Sequence, residues 1–81
     1  RGTTRIFVGI GKQDGLRPGE LVATIANNCG LSGKVIGAID ILDRSSFVEV
    51  PAAESERVIE VLRRSPLRGK KVKIDLATPR R

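Results

Sequence analysis

The apolar residues of this chain recur at every second residue in some segments and at every third or fourth residue in others. The order of these segments restricts the fold most. Residues 4–10 and 71–76 alternate apolar and polar side chains, which is typical of half-buried strands. Residues 35–42 are rich in β-branched side chains and interrupted by Gly37, which disfavours a helix and predicts a strand over residues 37–42. Residues 47–50 alternate again before Pro51. The pattern therefore predicts four strands.

Two further segments have the period of an amphipathic helix. In residues 18–29 the apolar side chains fall on one helix face, Pro18 suits the first turn, and Gly30 suits the left-handed residue that ends a helix. This stripe predicts that Cys29 faces the core. Residues 52–64 repeat the pattern, with acidic residues early and arginines late, as the helix dipole prefers. The predicted order is strand, helix, strand, strand, helix, strand.

This order predicts an α+β fold, a ferredoxin-like βαββαβ sandwich in which two helices cover one face of a four-stranded antiparallel sheet. Right-handed crossovers place strands one and three in the centre of the sheet, with strands four and two at its edges. A chain of 81 residues has room for one domain. We assign residues 4–77 to this domain and interpret residues 78–81 as a basic tail or the start of a linker.

The second face of the predicted sheet is open to solvent, and alternation assigns to it the two aromatic residues of the chain, Phe7 and Phe47. Cores of small domains normally take phenylalanine first, so two rings on an open face indicate a binding surface. A register shift of one residue would bury both rings instead, and the sequence leaves this alternative open. The predicted open face carries Arg5, Phe7, Asp40, Phe47, Glu49, Lys71, Lys73 and Asp75.

Positive charge is concentrated in the last third of the chain. Residues 1–56 contain six basic and seven acidic residues, whereas residues 57–81 contain nine basic and two acidic residues. This asymmetry favours a polyanionic partner, nucleic acid or an acidic membrane face, over a small neutral ligand. The basic residues that we expect at such an interface are Arg5, Lys12, Arg44, Arg68, Lys70, Lys71, Lys73, Arg80 and Arg81.

Composition excludes several classes of function. The chain has no histidine and one cysteine, which excludes His-based acid/base or nucleophilic catalysis, a His/Cys zinc site and a disulfide framework within these residues. We expect no catalysis, cofactor or small-molecule substrate in this chain. No apolar run is long enough for a transmembrane helix and no signal peptide opens the chain, so we expect a cytoplasmic protein without a membrane partner. The start at Arg1 and the end at Arg81 predict a piece of a longer protein.

Sheets that display aromatic side chains are used by RRM domains to stack RNA bases, through a hexamer on strand one and an octamer on strand three. Residues 6–10 fit the hexamer, whereas residues 43–50 retain only Phe47 and Val48 of the octamer. Residues 30–33 have the GxxG spacing of a KH domain, but a predicted strand follows them where the KH domain has a helix. The residues therefore favour an RRM-like platform with two rings.

Longer motifs carry a resemblance to one family. Residues 11–20 read Gly-Lys-Gln-Asp-Gly-Leu-Arg-Pro-Gly-Glu, and residues 30–41 read Gly-Leu-Ser-Gly-Lys-Val-Ile-Gly-Ala-Ile-Asp-Ile. Phe-Val-Glu-Val-Pro follows at residues 47–51, and Arg-Gly-Lys at residues 68–70. Over about residues 4–77 the chain resembles the DbpA-type RNA-binding domain that follows the helicase core in bacterial DEAD-box RNA helicases, especially those of the cold-shock DeaD/CsdA group.

This resemblance implies an RRM-like module that targets an ATP-dependent helicase to structured RNA such as ribosomal RNA, with a role in ribosome biogenesis. It implies that ATP and magnesium bind only in the helicase core of the same chain. The family's stacking positions fall on Phe7 and Phe47, and its basic turn and strand fall on Arg68, Lys70, Lys71 and Lys73. The alternative function is a ferredoxin-like protein-interaction or dimerisation module that pairs through its sheet face or an edge strand.

Overall fold

The computed structural model describes residues 2–77 and contains the predicted elements in the predicted order. The strands are β1 (Thr3–Val8), β2 (Ile39–Ile41), β3 (Ser46–Pro51) and β4 (Ile74–Leu76), and the helices are α1 (Pro18–Cys29) and α2 (Ser55–Arg64). Short 3₁₀ turns at Lys12–Asp14, Gly33–Val35 and Ala52–Glu54 lie in the connections. The prediction of an α+β, ferredoxin-like fold is confirmed.

The four strands form one antiparallel sheet in the order β2-β3-β1-β4. This order confirms that β1 and β3 are central and that β4 and β2 are the edges. The central pair is the longest, with six residues in each strand, and it places Phe7 directly opposite Phe47. The two edge strands have three residues each. The long central pair therefore sets the register of the aromatic residues.

The core lies between the sheet and the two helices. Alternate residues of the central strands, Ile6, Val8, Val48 and Val50, are 0% exposed. They meet one apolar stripe on each helix, and burying each such aliphatic side chain stabilises the fold by about 1.5–3 kcal/mol. The helices thus cover this face of the sheet over its central strands. The helix residues in this layer are Leu21, Ile25 and Cys29 from α1, as predicted for Cys29, and Val58, Ile59 and Leu62 from α2.

The strands β1 and β4 are shorter than the sequence predicts. β1 ends at Val8, because the N–H of Ile10 donates to the Val8 carbonyl oxygen at 2.9 Å and turns the chain there. β4 begins at Ile74, so Lys71 precedes the strand and does not belong to it. Leu76, which alternation assigns to the core, is 52% exposed, whereas Ile74 in the same edge strand is buried.

The element β2 and the helix α2 also begin later than predicted. Gly37 and Ala38 both bond to the backbone of Glu49, and this bulge delays regular pairing until Ile39. Residues 52–54 form a 3₁₀ turn, so α2 starts at Ser55. Across residues 2–77, neither α1, with 12 residues, nor α2, with 10, is long and apolar enough to cross a membrane.

Candidate nucleic-acid interface

Phe7 and Phe47 lie side by side on the open face of the sheet, as alternation predicts. Their ring centroids are 5.8 Å apart and the ring planes are inclined by 64°, an edge-to-face arrangement. Both residues are half-buried, whereas their strand neighbours Ile6, Val8 and Val48 are fully buried on the other side. The alternative in which both rings enter the core is therefore wrong.

Carboxylates surround the two rings. Asp40 on β2 lies opposite Phe47, and Asp75 on β4 lies opposite Phe7. Glu49 lies opposite Arg5 in the central pair. We call this surface the aromatic face; with one arginine against three carboxylates, it is not itself a basic surface. Its residues are Arg5, Phe7, Asp40, Phe47, Glu49 and Asp75.

Arg5 is already engaged on this face. Its guanidinium carbon lies 4.7 Å from the centroid of the Phe47 ring, within cation–π distance. Its Nη2 donates to Asp40 Oδ2 at 2.8 Å, and its Nη1 lies 3.8 Å from Glu49 Oε2. The guanidinium thus covers part of Phe47 and has its charge compensated. Among residues 2–77 no cation lies over the ring of Phe7, so a base could stack on this ring without displacing a guanidinium.

Lys73 lies beside Phe7 at the edge of the aromatic face. The N–H of Gly9 donates to the Lys73 carbonyl oxygen at 2.8 Å. A Cβ on Gly9 would approach Lys73 Cβ at 3.3 Å, so Lys73 and position 9 face the same side of the sheet. Position 9 is two residues after Phe7, so this side is the one that carries Phe7. Because Gly9 has no side chain, it places none on the face between Phe7 and Lys73. Lys71 is exposed but precedes the strand, so alternation does not assign it to this face.

Loops from three parts of the chain meet at the end of the sheet where Lys73 lies. The N–H groups of Lys12 and Gln13 donate to the carbonyl oxygens of Leu42 and Asp43 at 2.8 and 2.9 Å. Gly11 makes this approach possible, since a Cβ there would overlap the Leu42 carbonyl oxygen. These bonds bring the loop of Lys12 against the turn that carries Arg44, and both of these side chains belong to exposed residues.

We call this surface the basic end and define it as residues 9–20, 42–45 and 66–73. It contains seven basic and three acidic residues, in contrast to the aromatic face. The fold thus gathers cations that lie far apart in the sequence at one end of the sheet, and one of them, Lys73, lies against Gly9 beside the aromatic face. The basic residues are Lys12, Arg17, Arg44, Arg68, Lys70, Lys71 and Lys73.

Two of the predicted contacts at the basic end are paired with carboxylates. Lys70 Nζ donates to Asp14 Oδ1 at 2.7 Å, and this bond lowers the pKa of the Asp14 carboxyl below its usual value. Arg68 Nη1 donates to both carboxylate oxygens of Glu20, at 3.0 and 3.2 Å. The sequence does not indicate that Asp14 and Glu20 are the partners of Lys70 and Arg68. No local signal links residues that are 56 and 48 positions apart.

Arg63, in the last turn of α2, reaches β4: its Nε donates to the Ile74 carbonyl oxygen at 3.1 Å, and its Nη2 lies 3.8 Å from Asp75 Oδ1. It therefore braces the outer edge of β4. Arg80 and Arg81 lie outside the described residues.

Comparison with known proteins returns one family and two relatives. The sequence profile described as the DbpA RNA binding domain matches residues 5–76. The chain is 32% identical over 73 residues to the ATP-dependent RNA helicase DbpA of Bacillus subtilis (strain 168), which covers 90% of this chain and 15% of that protein. It is 37% identical over 68 residues to an uncharacterized protein of Treponema pallidum (strain Nichols), covering 84% of this chain and 30% of that protein. The chain spans less than a third of either relative.

Proposed function

This chain belongs to the DbpA RNA-binding domain family, and we propose that it is the module through which an ATP-dependent RNA helicase holds its RNA. The observation that carries the proposal is that the basic end adjoins the aromatic face, with Lys73 against Gly9, two residues from Phe7 in β1. Phosphates need clustered cations, and an unpaired base needs an exposed ring. Both are found here: Phe7 lies opposite Asp75, and Lys73, two residues before Asp75, lies against Gly9, two residues after Phe7.

In this proposal the RNA backbone follows the basic end and one unpaired base stacks on Phe7. Lys12, Arg44, Lys71 and Lys73 contact phosphates, because these four cations form no ion pair within residues 2–77. Phe47 and Arg5 form the margin of the stacking site. If the Arg5 guanidinium moves off the Phe47 ring, that ring and the planar guanidinium extend the stacking surface. Arg80 and Arg81 extend the phosphate track from the tail.

We further propose that the parent protein is a DEAD-box helicase of the cold-shock DeaD/CsdA group, working in the cytoplasm on structured RNA such as ribosomal RNA. A contact between a phosphate track and one flipped base favours a hairpin loop or a junction over a continuous duplex, which offers no free base. ATP and magnesium would bind in the helicase core of that protein. Residues 4–77 would form the complete module, with residues 78–81 as tail or linker.

The test is a titration of the isotope-labelled chain with three RNAs of one sequence: a hairpin with a single-stranded extension, the single strand alone, and the closed duplex. We expect the hairpin to bind most tightly, with chemical-shift changes at Phe7, Gly9 and Lys73. Shift changes confined to the outer surface of α2 would contradict the proposal. Salt-insensitive binding, together with sedimentation that increases with protein concentration, would instead support the protein-interaction alternative.

A further inference from the structure

The turn that carries Arg68 and Lys70 has a demanding backbone geometry. Leu67 and Lys70 exchange two backbone hydrogen bonds of 2.9 Å, which leaves two residues in the turn. Arg68 has φ +49° and Gly69 has φ +76°, so both are left-handed. Glycine and asparagine adopt this conformation readily, whereas arginine rarely does. Arg68 is therefore held in this turn by something beyond its own backbone preference.

The Arg68 side chain is held by two residues from the beginning of the domain. Its Nη1 donates to both oxygens of Glu20 in the first turn of α1. Its guanidinium lies against Gly15, where a Cβ would come within 3.2 Å of Nη2. Gly15 is itself left-handed, with φ +82°. A Cβ at position 15 would crowd the guanidinium, so the close contact depends on glycine at this position.

We propose that Arg68 acts with Glu20 and Gly15 as a positioning residue for RNA recognition and is not a phosphate ligand. The three residues fix the turn 67–70 against the start of α1, and Lys70, Lys71 and Lys73 follow this turn directly. The inference deepens the proposed function and rests on it. Arg68, whose charge the Glu20 carboxylate compensates, is then no longer one of the phosphate contacts. Glu20 and Gly15 join the residues on which RNA binding depends.

Simple charge and positioning predict opposite results for Glu20→Gln. Removing a negative charge next to a polyanion site strengthens binding if charge alone matters. If Glu20 holds Arg68 in place, the same substitution weakens binding. We expect a loss of about two- to fivefold, the equivalent of a partly exposed ion pair. The matched control is Asp43→Asn, which removes a carboxylate at the basic end that has no ion-pair partner within residues 2–77 and should strengthen binding slightly.

A double-mutant cycle separates positioning from a general loss of stability. Arg68→Gln and Arg68→Lys should each weaken RNA binding by about two- to fivefold, because lysine keeps the charge but cannot reproduce the guanidinium contacts. In the Arg68→Gln background, Glu20→Gln should cause no further loss, since the pair is already broken. Affinities are measured for the RNA hairpin by fluorescence anisotropy, well below the midpoint of thermal unfolding of each variant. A destabilised but unaltered site would show no loss of affinity at this temperature.

A measurement without RNA distinguishes failure of this inference from failure of the proposed function. In Glu20→Gln the amide hydrogens of Leu67 and Lys70 should exchange faster, while those of β1 and β3 should not change. Unchanged exchange at the turn would overturn the positioning role, as would tighter RNA binding by Glu20→Gln. If exchange at the turn is faster in Glu20→Gln but the unsubstituted chain binds no RNA, Glu20 does hold the turn in place. That result would reject both its role in RNA recognition and the proposed function.

Discussion

Replacing Phe7 with alanine separates the role of the ring in RNA binding from its role in stability. The ring is half-buried on the open face and contacts Phe47 through an edge-to-face pair at 5.8 Å. Loss of this pair and of partial burial should cost about 1–2 kcal/mol of unfolding free energy, against about 3–5 kcal/mol for a phenylalanine in a core. Loss of one stacked base should cost about 1–3 kcal/mol of RNA binding, or roughly 5- to 150-fold in Kd.

The assay pairs urea unfolding with an RNA titration on the same preparation. Ile6→Val is the matched control, because Ile6 is adjacent in β1, is 0% exposed, and lies on the opposite side of the sheet. It should cost about 0.5–1.5 kcal/mol of stability and leave the affinity unchanged. If Phe7→Ala lowers stability by more than 3 kcal/mol while RNA affinity is retained, the assignment of this ring to base stacking is refuted.

The charges of the domain should govern the salt dependence of RNA binding, the effect of lysine substitutions and part of the stability in acid. With about four to six phosphates neutralised on a single strand, log K should fall against log salt with a slope of about −3 to −4, and a flat profile would contradict phosphate binding. Lys71→Ala with Lys73→Ala should weaken RNA binding more than Arg57→Ala with Arg64→Ala, measured at one salt concentration; equal losses would mean that charge alone matters. Arg63 is left out of the control pair because it braces β4. Finally, Lys70 lowers the pKa of Asp14, so this ion pair stabilises the fold above the unfolded-state pKa and loses its effect as pH falls through the lower folded-state pKa. Lowering the pH from about 4 should therefore reduce the unfolding free energy of the unsubstituted chain more than that of Asp14→Asn. Parallel plots of unfolding free energy against pH would reject a contribution of this ion pair.

The sequence by itself determined which elements form and in what order. A period of two or 3.6 is a local property, so it assigns each side chain to one side of its strand or helix wherever the element lies in the fold. The right-handed crossover rule then orders the strands, since few other connections are sterically accessible. For this reason the chain alone placed Cys29 in the core and Phe7 and Phe47 on one common face, whereas the structure decided that this face is the open one.

Element ends were less well determined, for a reason visible at three positions. Alternation continues through Ile10 and begins before Ile74, but strands end where their backbone bonds go elsewhere. The N–H of Ile10 turns back to Val8, and the N–H of Lys12 bonds to a distant turn. These hydrogen bonds depend on how the loops pack against each other, and the apolar/polar alternation of the sequence does not predict that packing.

Only the tertiary structure decided how the charges are used. The chain shows that its positive charge lies after residue 57, but it does not show that Arg5 covers Phe47 or that Asp14 and Glu20 hold Lys70 and Arg68. Ion pairs on a surface form between side chains that packing brings together, and here the partners lie 35 to 56 positions apart. The sequence therefore shows which residues are cationic, whereas the fold determines whether each cation pairs with a carboxylate or is available to a phosphate.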